Sequence, residues 1–148
     1  MPKLFTIGYE HAPQVQVIGA LKAAGVTLVI DVRAVAASRR AGFSKSILAA
    51  SLKDEGIDYR HLKALGTPKA GRDAARAGRT DEMHAIFEAH LAEPEAELAL
   101  AEAAELAAAR PSALLCYEAD PACCHRRILT ERLARQPGFD VIDLRLPT

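Results

Sequence analysis

Thr27 to Val32 (TLVIDV) is an apolar run broken only by Asp31, and Ser112 to Tyr117 (SALLCY) is a second of the same kind. A strand with one wet face alternates apolar and polar side chains. A strand that does not alternate is covered on both faces, as in a parallel sheet flanked by helices. Leu4 to Gly8 (LFTIG), Asp58 to Leu62 (DYRHL) and Asp140 to Leu144 (DVIDL) are three further short candidates. Between them the apolar period changes to that of a helix. Val15 to Ala24 turns Val17, Ile18, Leu21 and Ala24 to one side and stops at Gly25; Ser44 caps a helix over Ile47, Leu48 and Leu52 that ends at Gly56. Met83, Ile86, Phe87 and Leu91 define a helix over Asp81 to Ala92. Pro94 opens an alanine-rich helix to Ala109, and Ile128, Leu129 and Leu133 face inward from Cys124 to Arg135. Strands alternating with helices imply an α/β fold of three layers, a mostly parallel sheet of about five strands with helices on both faces.

Gly66 to Arg79 (GTPKAGRDAARAGR) interrupts this order with three glycines and a proline and no apolar periodicity. It is expected to be a mobile connection, suited to act as a lid. The 148 residues, half of them apolar, suffice for one core, and a single domain over 1–148 is expected. No apolar stretch has membrane-spanning length and no leader-like segment precedes the first strand. The three cysteines, two of them adjacent, suit free thiols, so a cytoplasmic location away from membranes is expected.

Formal net charge is zero, but the charges are sorted. Six basic residues from Arg60 to Arg79 face one acid, Asp73, whereas eight acids and no lysine or arginine lie between Asp81 and Glu105. Both blocks read as solvated faces; alternatively, the basic block meets an anionic ligand.

Ligands of parallel sheets bind beyond the carboxyl ends of the strands. Those ends carry Gly8, Tyr9 and Glu10; Asp31 and Arg33; His61; and Cys116 and Glu118. A carboxylate at Asp31 inside an apolar strand must be paired with arginine or amides, or kept for chemistry. Arg33, Ser38 and Arg39 follow it, and guanidinium suits bidentate contact with phosphate or carboxylate. In CYEADPACCHRRIL, Cys124, His125 and Arg126 open a helix whose amides favour an anion or thiolate. Cys124 is the candidate nucleophile, with Asp31, Glu118 or His125 as proton carriers and Arg33, Arg39 and Arg126 holding the anion. Cys116 reads equally as a small buried apolar residue. Tyr59 and His61 share one face of the third strand, where His61 is either a proton carrier or a bonded structural histidine. Structural zinc is disfavoured, because the cysteines are adjacent or seven and eight positions apart with no second pair elsewhere.

TIGYE near the start, DVR followed by SR, YRH followed by LGTP, and CYEADPACCHR occur in an order that resembles the domain-of-unknown-function family 488 over nearly the whole chain. The residues carrying the resemblance are Thr6, Gly8, Asp31, Arg33, Ser38 and Arg39, then Tyr59, His61, Leu65, Gly66, Cys116, Glu118, Cys124, His125 and Arg126. Ala36 and the Gly66-Thr67 pair depart from the pattern in loop shape. The resemblance implies a compact α/β domain and leaves the activity to be argued from residues. LVIDVR is also similar to the opening strand of rhodanese domains. There the spacing departs: the first arginine after Cys116 is ten positions on, and no glycine-rich loop intervenes.

The expectation is therefore a hydrolase or transferase acting on a small anionic, phosphorylated or nucleotide-like substrate, with the cofactor left open. The alternatives are a non-catalytic module binding a nucleotide or nucleic acid through the basic block, and a thiol-redox or rhodanese-like protein.

Overall fold

The computed structural model describes residues 2–119, 125–135 and 138–146. Five strands, β1 (Lys3–Gly8), β2 (Leu28–Asp31), β3 (Asp58–His61), β4 (Ser112–Cys116) and β5 (Asp140–Asp143), form one sheet in the order β3-β2-β4-β1-β5. Every pairing is parallel, with Leu4 and Leu28 both opposite Ser112 and Asp31 opposite His61. The fold is α/β. β4 and β2 are buried at every position, as their unbroken apolar runs require.

The two faces of the sheet carry separate cores. Phe5, Ile7, Val29, Ala113 and Leu115 face α1 (Gln14–Ala23) and α2 (Lys45–Asp54), which bury Val17, Ile18, Leu21, Leu48 and Leu52. Leu4, Ile30, Leu114 and Cys116 face the opposite way, toward Phe87 and Leu91 of α4 (Thr80–Leu91), the small residues Ala96, Ala103 and Ala107 of α5 (Pro94–Ala109), and Leu129 and Leu133 of α6 (Arg126–Arg135). Each such leucine or isoleucine contributes about 1.5–3 kcal/mol on burial. Ile47, expected to face inward, is exposed, because the buried pair one turn apart is Leu48 and Leu52. No helix among the described residues is long and apolar enough to cross a membrane.

The largest departure from the sequence reading lies between β3 and α4. Gly66 to Arg79 is not irregular: after a single 3-10 turn at Lys63–Leu65 it forms α3 (Lys69–Arg76). Its inner side consists of Gly71 and Ala74, too small to register as an apolar stripe. Closeness to α4 explains them, since a Cβ on Gly71 would lie 2.5 Å from Thr67 Cγ2 and 3.3 Å from Ile86 Cγ2. Ion pairs from Lys69 (3.1 Å) and Arg76 (3.3 Å) to Asp73 add local helical support.

The topology fixes where a ligand can enter. β4 lies between β2 and β1, and the helix after it, α6, packs on the opposite face from α1 and α2. The connections therefore diverge around the end of β4 and leave a crevice there.

Candidate functional site

β2 ends in Asp31, fully buried and satisfied by its own neighbours. Arg33 donates to it from Nε (2.9 Å to Oδ1), from Nη2 (2.7 Å to Oδ2) and from its backbone N–H (3.0 Å to Oδ1). The Tyr59 hydroxyl donates to Oδ2 from β3. Arg33 Nη1 donates onward to the Phe43 carbonyl at 2.7 Å and the Tyr9 hydroxyl at 3.1 Å. Burial and the bond to Asp31 push the Tyr59 phenol well above its ordinary range. Burial opposes the charge on Arg33, but the bonds to Asp31 prevail and hold it more firmly protonated than usual. This network joins the ends of three strands, and its polar groups are spent on one another.

β4 ends differently. Cys116 lies in register with Gly8, and the ladder runs one step further through Tyr9 N–H to Cys116 O at 3.3 Å. The fully buried Arg126 reaches back from the start of α6, donating from Nη1 to Cys116 Sγ (2.9 Å) and Glu118 O (2.7 Å) and from Nη2 to Ala119 O (3.0 Å). Gly8 is required by this clasp, because a Cβ there would stand 1.8 Å from Glu118 O and 2.6 Å from Arg126 Nη1. The Glu10 carboxylate completes the loop by accepting from Ala119 N–H at 3.1 Å. His125 is buried against Phe87, with Nε2 donating to Val32 O at 2.9 Å. Burial lowers the histidine below its usual value despite the Val32 bond.

Above these strand ends opens a cleft of about 710 Å3, within the range of small-molecule sites. β1 and β4 supply Tyr9, Glu10, Cys116, Tyr117 and Glu118; the segment after β2 supplies Arg33, Ala34, Val35 and Ala37. Thr67, Arg72, Ala75 and Arg76 enter from α3 and the turn before it, Met83 from α4, and His125 from the start of α6. Arg72 donates from Nη1 to Thr67 O at 2.9 Å, and Arg76 makes only the exposed pair with Asp73 among the described residues. The Glu118 carboxylate has neither hydrogen bond nor ion pair to any described residue, although its backbone carbonyl is held by Arg126.

The family model described as Domain of unknown function DUF488 matches residues 8–133, from the last residue of β1 into α6. The chain belongs to the DUF488 family. No curated protein and no solved structure matches it significantly.

The matched DUF488 region contains every residue lining the cleft. Of the residues singled out in the sequence, Tyr9, Arg33, Cys116, Glu118 and His125 line it. Asp31 and Arg126 do not, being enclosed in the two networks described above. Tyr59 belongs to the Asp31 network, and His61 donates from Nε2 to the Arg33 carbonyl (2.7 Å). Ser38 organises its own loop, with its hydroxyl accepting from Arg40 N–H (3.1 Å) and its backbone bonded on both sides by the Ser44 hydroxyl. Arg39 is exposed and does not line the cleft; its neighbour Arg40 is tied to the carbonyls of Glu10 (2.6 Å) and Ala12 (3.1 Å). Cys116 is 1% exposed, so its thiol is poorly placed for exchange with solvent. Cys124, the candidate nucleophile, lies outside the described residues together with Asp120, Pro121 and Cys123.

Sequence reasoning passed over Arg72 and Arg76 as individual site residues. The signal is present in the basic block: two arginines at i and i+4 share one side of any helix, but the segment carries no apolar period that marks it as one. Glu10 was noted at the end of the first strand without a role, and Thr67 follows the Gly66 turn.

Proposed function

We propose that this chain is an enzyme acting on a small anionic substrate, with a phosphoryl or similar group held by Arg72 and Arg76 and protons moved by Glu118 and His125. One observation carries the reading: the Glu118 carboxylate, without a hydrogen-bond or ion-pair partner among the described residues, lines the same cleft as two side-chain guanidiniums on the edge of α3. A half-buried carboxylate that lines a cleft without such a partner is open to a ligand or to a proton in transit. Arg72 and Arg76 replace Arg33 and Arg126 as anion holders, because the latter pair spends its guanidinium bonds on Asp31, on carbonyls and on Cys116.

Hydrolysis or group transfer follows from that arrangement. The arginines neutralise charge on the transferred group; Glu118 accepts the proton of the attacking hydroxyl or water as its oxygen bonds to phosphorus, the bond from phosphorus to the leaving oxygen breaks, and that oxygen takes the proton back from the Glu118 carboxyl. His125, its Nε2–H donated to Val32 O and its charged form disfavoured by burial, is the second titratable group that lines the cleft with Glu118. An extended nucleic-acid surface has weaker support. Arg60, Lys69 and Arg79 of the basic block are matched by Glu102, Asp73 and Glu82, so little continuous positive surface is left for a backbone of phosphates.

Turnover of a panel of phosphate mono- and diesters, followed by 31P NMR, tests the proposal. Glu118→Gln should lower any turnover by about 10²- to 10⁴-fold with the melting temperature unchanged. A Glu118→Gln protein as active as the wild type would sink it.

A further inference from the structure

Two neighbouring parallel strands leave the sheet with the same dipeptide. Tyr9-Glu10 follows Gly8 and Tyr117-Glu118 follows Cys116, and Gly8 and Cys116 are register partners, so the two Tyr-Glu steps stand side by side. Their tyrosines differ in purpose. Tyr9 is buried, stacked on Phe43 at 4.1 Å with 10° between the rings. It presents an edge contact to Tyr117 at 5.4 Å and 82°. Tyr117, held by that rigid pair, is 43% exposed and lines the cleft. An aromatic ring that is both exposed and braced offers a stacking surface at little entropic cost.

The carboxylates are also asymmetric in use. Glu10 spends Oε1 on Ala119 N–H, while its Oε2 and the Glu118 carboxylate have no hydrogen-bond partner among the described residues. The cleft is therefore bipolar, with acceptors and an aromatic ring from β1 and β4, and guanidiniums from α3. A bare phosphate or a phosphosugar answers only the arginines and brings its charge toward two carboxylates. A ligand answering both sides carries an anion at one end and, at the other, a flat ring bearing N–H donors.

Deepening the reading of an anionic substrate, on which it rests, we infer that the cleft takes a nucleoside monophosphate whose base carries an exocyclic amine. The base stacks on Tyr117 and donates to Glu10 or Glu118, and the phosphate meets Arg72 and Arg76.

Calorimetric titration of the full chain with cytidine and uridine 5′-monophosphates, ribose 5-phosphate and inorganic phosphate tests this. The two nucleotides differ in whether ring position 4 bears an amine or a carbonyl. The cytidine ligand should bind about tenfold tighter than the uridine ligand and than ribose 5-phosphate. Tyr117→Ala, at an exposed position, should weaken the nucleotides by about tenfold and leave ribose 5-phosphate unchanged. Arg72→Ala should weaken every ligand. Equal affinity for cytidine and uridine ligands, or for nucleotides and ribose 5-phosphate, overturns the nucleotide inference while leaving the anion reading intact. Binding by none of them overturns both.

Discussion

Asp31 and Glu118 are both acids at the ends of central strands, and their surroundings separate their roles. The Asp31 carboxylate is enclosed by Arg33 and Tyr59, whereas the Glu118 carboxylate has no such partner among the described residues. Removing one member of a buried pair strands the other charge, which costs about 3–5 kcal/mol. Asp31→Asn should lower stability by that amount in urea unfolding, and a change under 1 kcal/mol would show that the network is not what holds the strand ends. His125 predicts a pH dependence. Its folded form is depressed below 6.5 by burial, so the unfolded chain binds the proton first. Its contribution is complete above about pH 6.5 and is lost as pH falls toward the lower folded value. Urea midpoints at pH 7.5 and 5.5 should fall further for the wild type than for His125→Gln; equal losses would contradict the burial argument. Little of this was legible one residue at a time. DVR announced a buried carboxylate next to an arginine, but which acid is paired and which is left open depends on Tyr59 and Arg126, brought in from distant strands and helices.

The residues just after β4 are held by a clasp in which Arg126 and Glu10 bind the backbone of Glu118 and Ala119 over Gly8. Gly8→Ala would place a methyl group 1.8 Å from Glu118 O, a collision with backbone rather than with a yielding side-chain tip. The expected loss exceeds the usual cost of overpacking, about 1–3 kcal/mol, and nucleotide affinity should fall with it as Glu118 is displaced. Stability and affinity both unchanged in Gly8→Ala would refute the clasp. Helices with leucine or isoleucine stripes and the doubly buried strands were readable from periodicity. α3 was not, because its contact with α4 is made by Gly71 and Ala74, and close approach of small residues leaves no apolar signature. With it went the means to recognise Arg72 and Arg76, whose shared direction exists only once the segment is a helix.

At the scale of the whole molecule, the strand order β3-β2-β4-β1-β5 determines what can meet. Gly8 and Cys116 are 108 positions apart (116 − 8), yet they are register partners at the ends of β1 and β4, and α3 supplies side chains to the same cleft. The sequence indicated a parallel sheet and polar strand ends; it could not indicate which ends are neighbours, since strand order is settled by tertiary packing. The central claim is that this convergence makes an anion site between α3 and the β4 end. X-ray diffraction from crystals soaked in tungstate, a phosphate-like anion with strong anomalous scattering, examines it directly. The account predicts an anomalous peak within hydrogen-bond reach of Arg72 and Arg76 in the cleft, absent in the Arg72→Ala, Arg76→Ala double variant. Tungstate bound elsewhere on the protein, with the cleft empty, would contradict it.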